Sequence, residues 1–280
     1  MSITPEQPLI PKIKYSAILS VISRGFHIDR RPLLEYRPIT IETNVVPNAE
    51  GSALVRLGNT QVIAGVKMEI GTPFPDTPNE GVLIVNAEFV PAAAPTFEPG
   101  PPDENAIELA RVIDRSLREP RAIALDKLAI IPGKKVWIIY LDIYVLDHDG
   151  NLLDASMLAA MSALATTRIP KIVSVNPETG EVVVDKKVRE EKLPLNKFVA
   201  TVTVNKIENY LLVDPVQEEE SIASARLAIS VSDDGAIVGM QKMGMGFFTE
   251  DEVKKAIEIA LDKARSLIDI VKKTCGYTQG

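Results

Sequence analysis

The chain has 280 residues, 46% hydrophobic and 25% charged, a composition that is globular rather than disordered and long enough for one large domain or two lobes. Its net charge of −7 argues against a free-standing nucleic-acid binder with a broadly basic surface, though not against one small basic patch within a larger assembly. No apolar run approaches the ~18 residues of a membrane span, the N-terminus lacks a signal-peptide pattern, and the single cysteine, Cys275, excludes an internal disulfide; together these favour the cytoplasm.

In chain order, residues 1–15 hold three prolines and read as a loose arm. Ser16–Ser23 reads as a short helix stopped by Gly25. Strands are expected at Ile39–Val46 and Ser52–Leu57, joined by the turn composition PNAEG, and at Gln61–Ile70. Gly81–Val90 is nearly continuous in apolar character and reads as a strand covered on both faces. A helix begins near Asp103, whose charge suits a helix N-terminus, and ends at Pro120. Its Ala106, Ala110, Ile113 and Leu117 fall at helical spacing and face the core.

Lys135–Leu146 (KVWIIYLDIYVL) is the clearest strand, and HDGN turns from it into an apolar, buried helix over Leu152–Arg168 closed by Pro170. Ile172–Val175 and Glu181–Val184 flank NPETG as a hairpin, followed by a charged link, Asp185–Lys192. Further strands are expected at Val199–Ile207, Tyr210–Val213, Arg226–Val231 and Ala236–Lys242. A long amphipathic helix spans about Glu250–Lys273, with Thr249 and Glu252 as a capping box. This is an α+β organisation: an arm and helix over 1–29, a first lobe over 30–192 and a second over 193–280.

The helix after Asp103 carries Arg111, Arg115 and Arg118 at i, i+4 and i+7, on one face. Like charges so placed repel unless an anion lies opposite. Glu108–Arg111 and Asp114–Arg118 are helical ion-pair spacings, so a solvated face is the competing reading. Arg115 has only Glu119 at that spacing, at the helix end beside Pro120, and is the best candidate for a phosphate contact. His27 and His148 lie in loop-like sequence, where an exposed turn residue is the commoner reading and a ligand or base role the alternative. The acidic groups Asp142, Asp147 and Asp149, and Asp214 with Glu218, Glu219 and Glu220, read as solvated turns or as divalent-metal ligands. No CxxC, HExxH or P-loop pattern occurs, so neither zinc nor ATP is expected, and no cofactor is implied.

Three stretches, GSALVRLGNTQVIAGVKM from Gly51, TPFPDTPNEGVLIVNAEFVP from Thr72 and FEPGPPDENAIELARVIDRSLR up to Arg118, carry a likeness that extends over about residues 16–275. The chain resembles the RNase PH family, in particular its archaeal exosome members. The resemblance implies an RNase PH-like fold of two βα lobes with mixed sheets packed against helices, the first lobe like domain 2 of ribosomal protein S5. It also implies degradation of RNA from the 3′ end with phosphate.

The departures point to a subunit that does not catalyse. Active members carry a Gly-Gly-Thr-Arg or Gly-Ser-Arg turn that holds the attacking phosphate at a helix N-terminus. The corresponding residues here are Gly150, Asn151, Leu152 and Leu153, with leucine at the arginine position. Active members also follow a D-x-x-x-E-E-D-x-x-x-x-x-D pattern. Here Asp214 is kept, but Glu220 and Arg226 occupy the two later positions, and an arginine is neither a general acid nor a metal ligand.

The resemblance therefore implies a ring of three such chains alternating with three catalytic paralogues, topped by RNA-binding cap proteins. Arg111, Arg115 and Arg118 would grip single-stranded RNA at the interface, with no catalytic residue and no metal in this chain. A self-sufficient phosphorolytic exoribonuclease with its phosphate site elsewhere is the alternative. An unrelated acidic interaction protein is the third reading.

Overall fold

A computed structural model describes residues 12–277. Helix α1 (Lys12–Ile22) leads into strands β1 (Ile39–Thr43), β2 (Gly51–Leu57), β3 (Thr60–Gly71) and β4 (Val82–Phe89). Helix α2 (Glu104–Arg118), a 3₁₀ turn (Leu125–Leu128), β5 (Ala129–Ile131) and β6 (Lys135–Asp147) follow, then helix α3 (Leu152–Thr166) and the ribbon β7 (Arg168–Asn176) and β8 (Glu181–Lys192). The chain continues through β9 (Val199–Ile207), β10 (Tyr210–Val213), α4 (Gln217–Glu220), β11 (Ala225–Ser232), β12 (Ile237–Met243) and α5 (Glu250–Thr274).

A six-stranded mixed sheet runs in the order β1-β2-β3-β6-β4, with β5 paired to β6, and a four-stranded antiparallel sheet runs β10-β9-β11-β12. Strand β4 joins β6 in parallel, and a crossover through α2 makes that possible. In β3, Val62, Ala64, Val66 and Met68 are buried while the residues between them are not, the period-2 pattern of a sheet covered on one face.

Helix α3 lies between the two sheets, against β2 and β3 on one side and β9 on the other. That position explains its composition: every residue from Asp154 to Ala165 is buried. Helix α2 shares the layer, because Ser116 Oγ lies 2.8 Å from Ser230 Oγ, which in turn lies 2.8 Å from Thr201 Oγ1. Helix α5 packs on β9 and β11, and all of β9 is buried. The layers therefore run sheet, helices, sheet, helix.

Several expectations need correction. Lys12–Tyr15 belong to α1 rather than to an arm, whose residues 1–11 lie outside the described part. Strand β4 is an edge, with α2 on one face and Asn86 and Glu88 exposed, so it is not covered on both sides. Helix α3 ends at Thr166, not at Pro170. The Thr167 hydroxyl donates to Ala163 O at 2.8 Å and packs on Gly51, where a Cβ would stand 2.3 Å from Thr167 Oγ1.

Pro170 instead sits inside β7 at a register shift, a place that tolerates the missing N–H. The charged segment 185–192 is not a link but the second half of β8. It is an exposed two-stranded ribbon, where charge need not be buried.

Candidate RNA interface and anion site

Two features of the sequence converge on the start of α3. Strand β6 delivers the chain to His148–Asn151, where Gly150 and Asn151 both take positive φ, 84° and 56°. A Cβ at Gly150 would stand 2.4 Å from Pro215 O, so the turn is pressed against the segment after β10. Arg37 fastens the two together. Its guanidinium donates to Asp214 Oδ2 and Oδ1 at 2.9 and 2.7 Å, its backbone N–H to Asp214 Oδ2 at 2.7 Å, and Nη1 to Asp149 O at 2.6 Å. Burial works against the charge on Arg37, but the Asp214 carboxylate more than offsets it and holds the guanidinium above its ordinary pKa.

The aspartate kept from the family's pattern is thus fully engaged. Asp214 is buried and also accepts from Asn151 Nδ2 at 2.9 Å and from Arg31 at 3.3 Å. The rest of its acidic cluster disperses to separate partners. Glu218 pairs with Lys14 at 2.6 Å. Buried Glu219 accepts from Ile28 N at 2.8 Å and lies 2.7 Å from His27 Nδ1. Glu220 pairs with Arg226. The first cluster splits as well: Asp142 accepts from Asn86 on the sheet, and Asp149 meets Arg37 and Asn59. Among the described residues no group of three or more His, Cys, Asp or Glu could hold a metal ion.

Glu220 has a second role. Its Oε2 accepts from the Asn151 backbone N–H at 2.8 Å, at the helix end where no side chain of the helix supplies a cap. A carboxylate, itself neutralised by Arg226, therefore occupies an amide that an anion could otherwise use. Arg226 does not simply invert the local field, as its sequence position implies; it forms a closed pair with Glu220.

Beside this pair lies a cavity of about 220 Å³, lined by His148, Leu153, Arg226 and, from α2, Asn105 and Glu108. His148 stacks on Phe97 with ring centroids 5.6 Å apart and planes 10° apart. Burial pushes the His148 imidazole down, against the pull of Glu220 and Asp149.

The expected arginine face is present. Asp103 caps α2 by accepting from Ala106 N at 2.8 Å, and Ala106, Ala110, Ile113 and Leu117 are buried as their spacing requires. Arg111, Arg115 and Arg118 are exposed. Arg118 makes the expected pair with Asp114 at 2.6 Å and donates to Leu83 O at 3.0 Å. The Glu108–Arg111 pair does not form; Glu108 accepts from Gln241 at 3.3 Å instead. Among the described residues, neither Arg111 nor Arg115 makes a side-chain hydrogen bond or ion pair.

Sequence reasoning missed Arg37 and misplaced His27, which is wholly buried rather than exposed in a turn. A guanidinium between Tyr36 and Pro38 at the start of an apolar strand is a weak signal, and only the buried Asp214 gives it meaning. Burial pushes the Cys275 thiol up, away from the reactive thiolate.

Comparison with known proteins agrees with this architecture. Residues 35–170 match the model of the 3′ exoribonuclease family, domain 1, and residues 197–263 match domain 2. The exosome complex component Rrp42 of Aeropyrum pernix is 52% identical over 266 residues, covering 95% of this chain and 96% of that protein. A chain of the Archaeoglobus fulgidus exosome with RNA bound to the active site superposes with a TM-score of 0.83 at 46% identity, covering 92% and 97% of the two chains. A chain of an archaeal exosome core gives a TM-score of 0.79 at 43% identity, covering 93% and 96%.

Proposed function

The chain belongs to the 3′ exoribonuclease, or RNase PH, family, and we propose that it is a non-catalytic ring subunit of an archaeal-type exosome that positions RNA for 3′-to-5′ phosphorolysis. Its partners are a catalytic RNase PH-like paralogue, three copies of each in a hetero-hexamer, RNA-binding cap proteins and single-stranded RNA. We place the assembly in the cytoplasm. Residues 30–192 and 193–280 are its two lobes, after an N-terminal arm and helix.

The observation that carries this reading is the state of the α3 N-terminus. Phosphorolysis needs an inorganic phosphate held next to the scissile bond and an acid or metal for the leaving oxygen. Here Leu153 offers no guanidinium, Glu220 takes the Asn151 amide, and Asp214 is locked beneath Arg37. What the chain does offer is α2. Arg111 and Arg115 are exposed and uncommitted, and Arg118 is fixed beside them. Guanidiniums spaced along one helix face suit successive phosphates of a strand, which they hold by charge without reading sequence. A chain of net charge −7 can serve in an RNA-degrading machine if this face is its contribution.

The deciding assay is nucleoside diphosphate release from RNA, with and without phosphate, by this chain alone and mixed with its paralogue. Activity is expected only in the mixture, and Arg115→Ala in the mixed ring should slow turnover without loss of assembly. Phosphate-dependent release by the chain alone would instead establish the self-sufficient enzyme.

A further inference from the structure

Helix α2 separates two cavities. Its N-terminal half borders the one beside Glu220, and its C-terminal end borders a larger one of about 490 Å³. The larger cavity lies between α2, the loop from Gly71 to Gly81 and the segment after Arg121. Its floor is apolar, made by the buried Leu83, Leu117 and Ile123. Phe74 stands over it with 52% of its surface exposed. Arg118 and Arg121 lie on its rim, together with Asp76, Glu80 and Asp126.

We propose that this cavity receives a nucleobase of the RNA strand whose phosphates lie on Arg111, Arg115 and Arg118. This rests on the RNA-positioning role argued above, and adds to a sequence-blind backbone track a pocket for one base. Continuity is the first support. Arg118 is both the last arginine of the helical face and a wall of the cavity, and Arg121 extends the same basic track past the end of the helix. Arg118 is already immobilised, by Asp114 at 2.6 Å and by Leu83 O at 3.0 Å, so holding a phosphate there costs little ordering. Arg121 is tethered only loosely, 3.7 Å from Glu80, with 76% of its side chain exposed.

The chemistry of the walls is the second support. An exposed phenyl ring over an apolar floor offers a base a face to stack on, a contact that tolerates any sequence. The rim carboxylates Asp76, Glu80 and Asp126 exclude a phosphate from the cavity but accept hydrogen bonds. Every RNA base carries an N–H donor on its pairing edge, so a base fits where its phosphate does not. The volume lies within the usual range for a small-molecule site and is ample for one base.

The test is photocrosslinking of RNA containing 5-iodouridine to the full ring of this chain and its catalytic paralogue. An adduct on the peptide containing Phe74 is expected, and it should vanish in Phe74→Leu. That variant should also bind RNA about five- to tenfold more weakly, the scale of one lost base–aromatic stack. Bound RNA whose affinity depends on Arg115 but which crosslinks only elsewhere overturns the base pocket and leaves the arginine face standing. An adduct at Phe74 with binding indifferent to Arg115→Ala does the reverse. The third outcome uses Phe74→Cys. Labelling by a maleimide in the free chain, but protection in the RNA-free ring, would mean that a neighbouring subunit fills the cavity, and the proposal falls.

Discussion

Glu220 and Asn151 are joined by a hydrogen bond of 2.8 Å from the Asn151 backbone amide to the Glu220 carboxylate, across 69 residues of chain. The same carboxylate is paired with Arg226. The N-terminus of a buried helix draws negative charge, and in this chain the charge comes from within. Two sequence departures that look independent, a glutamate and an arginine in place of two carboxylates of the family's pattern, are therefore one structural unit. Together they neutralise each other and close the amide against an outside anion.

This gives a first prediction. In Glu220→Gln the carboxylate charge is removed while the side-chain length is kept, and Arg226 loses its ion-pair partner beside the Asn151 amide. Inorganic phosphate should then raise the thermal midpoint of the variant but not of the parent chain. At ten times the dissociation constant the gain is about 1.4 kcal/mol. Equal shifts for the two proteins would mean that Glu220 does not guard the position.

The arginine face makes a second prediction, graded by residue. Arg111 and Arg115 are uncommitted, whereas Arg118 is shared with Asp114 and Leu83. In the mixed ring, Arg115→Ala should weaken RNA binding uniformly across sequences, by about 1–2 kcal/mol, and reduce the salt slope by about one. Arg118→Ala should lose RNA affinity and also some stability, because it strips the Leu83 carbonyl of its donor. If Arg115→Ala leaves both affinity and salt slope untouched, the phosphate role assigned to it is wrong.

The arginine face was legible because helical spacing is local: Asp103, the apolar Ala106, Ala110, Ile113 and Leu117, and the three arginines all follow from one short stretch. The Thr249–Glu252 capping box was legible for the same reason. The anion site was half legible. The missing arginine at Leu153 shows in sequence order, but the filling of the site by Glu220 does not, since it needs 69 residues of intervening chain to fold back. Arg37 and His27 were not legible at all. Their partners, Asp214 and Glu219, lie 177 and 192 residues away, and nothing local distinguishes them from surface residues.

Those distant pairs carry the third prediction. Arg37 is 5% exposed and Asp214 not at all, so removing one leaves the other as a buried, unpaired charge. Asp214→Ala should destabilise the chain by about 3–5 kcal/mol in denaturant unfolding. The effect comes through the junction of the two turns that Arg37 holds together, so in the surviving folded population the arginine face and its RNA contacts should be unchanged. A loss below about 1 kcal/mol would show that water reaches the Arg37 guanidinium and satisfies it.

The last prediction concerns a buried carboxylate without a cation. Asp154, inside α3, accepts from the Tyr36 hydroxyl at 2.7 Å, the Thr203 hydroxyl at 2.7 Å and the Thr203 amide at 3.1 Å. Burial outweighs these three donors and pushes its pKa from 3.8 up to about 6. Between those values the folded chain keeps a proton that the unfolded chain has already released. Stability from this group is therefore greatest below pH 4 and is lost as pH rises toward 6, by about 3 kcal/mol in total. Asp234 and Glu252 are held below the ordinary carboxylate range by hydrogen bonds from Lys197 and Lys206 and push the opposite way at low pH, so the wild-type curve alone does not isolate Asp154. Urea unfolding of Asp154→Asn beside the parent does isolate it. The stability difference, variant minus parent, should rise by about that amount between pH 4 and pH 7 and then level off, because asparagine keeps an acceptor for Tyr36 and Thr203 but never ionises. Parallel curves across that window would mean that Asp154 is charged in the fold throughout, with its three donors sufficient to hold the charge.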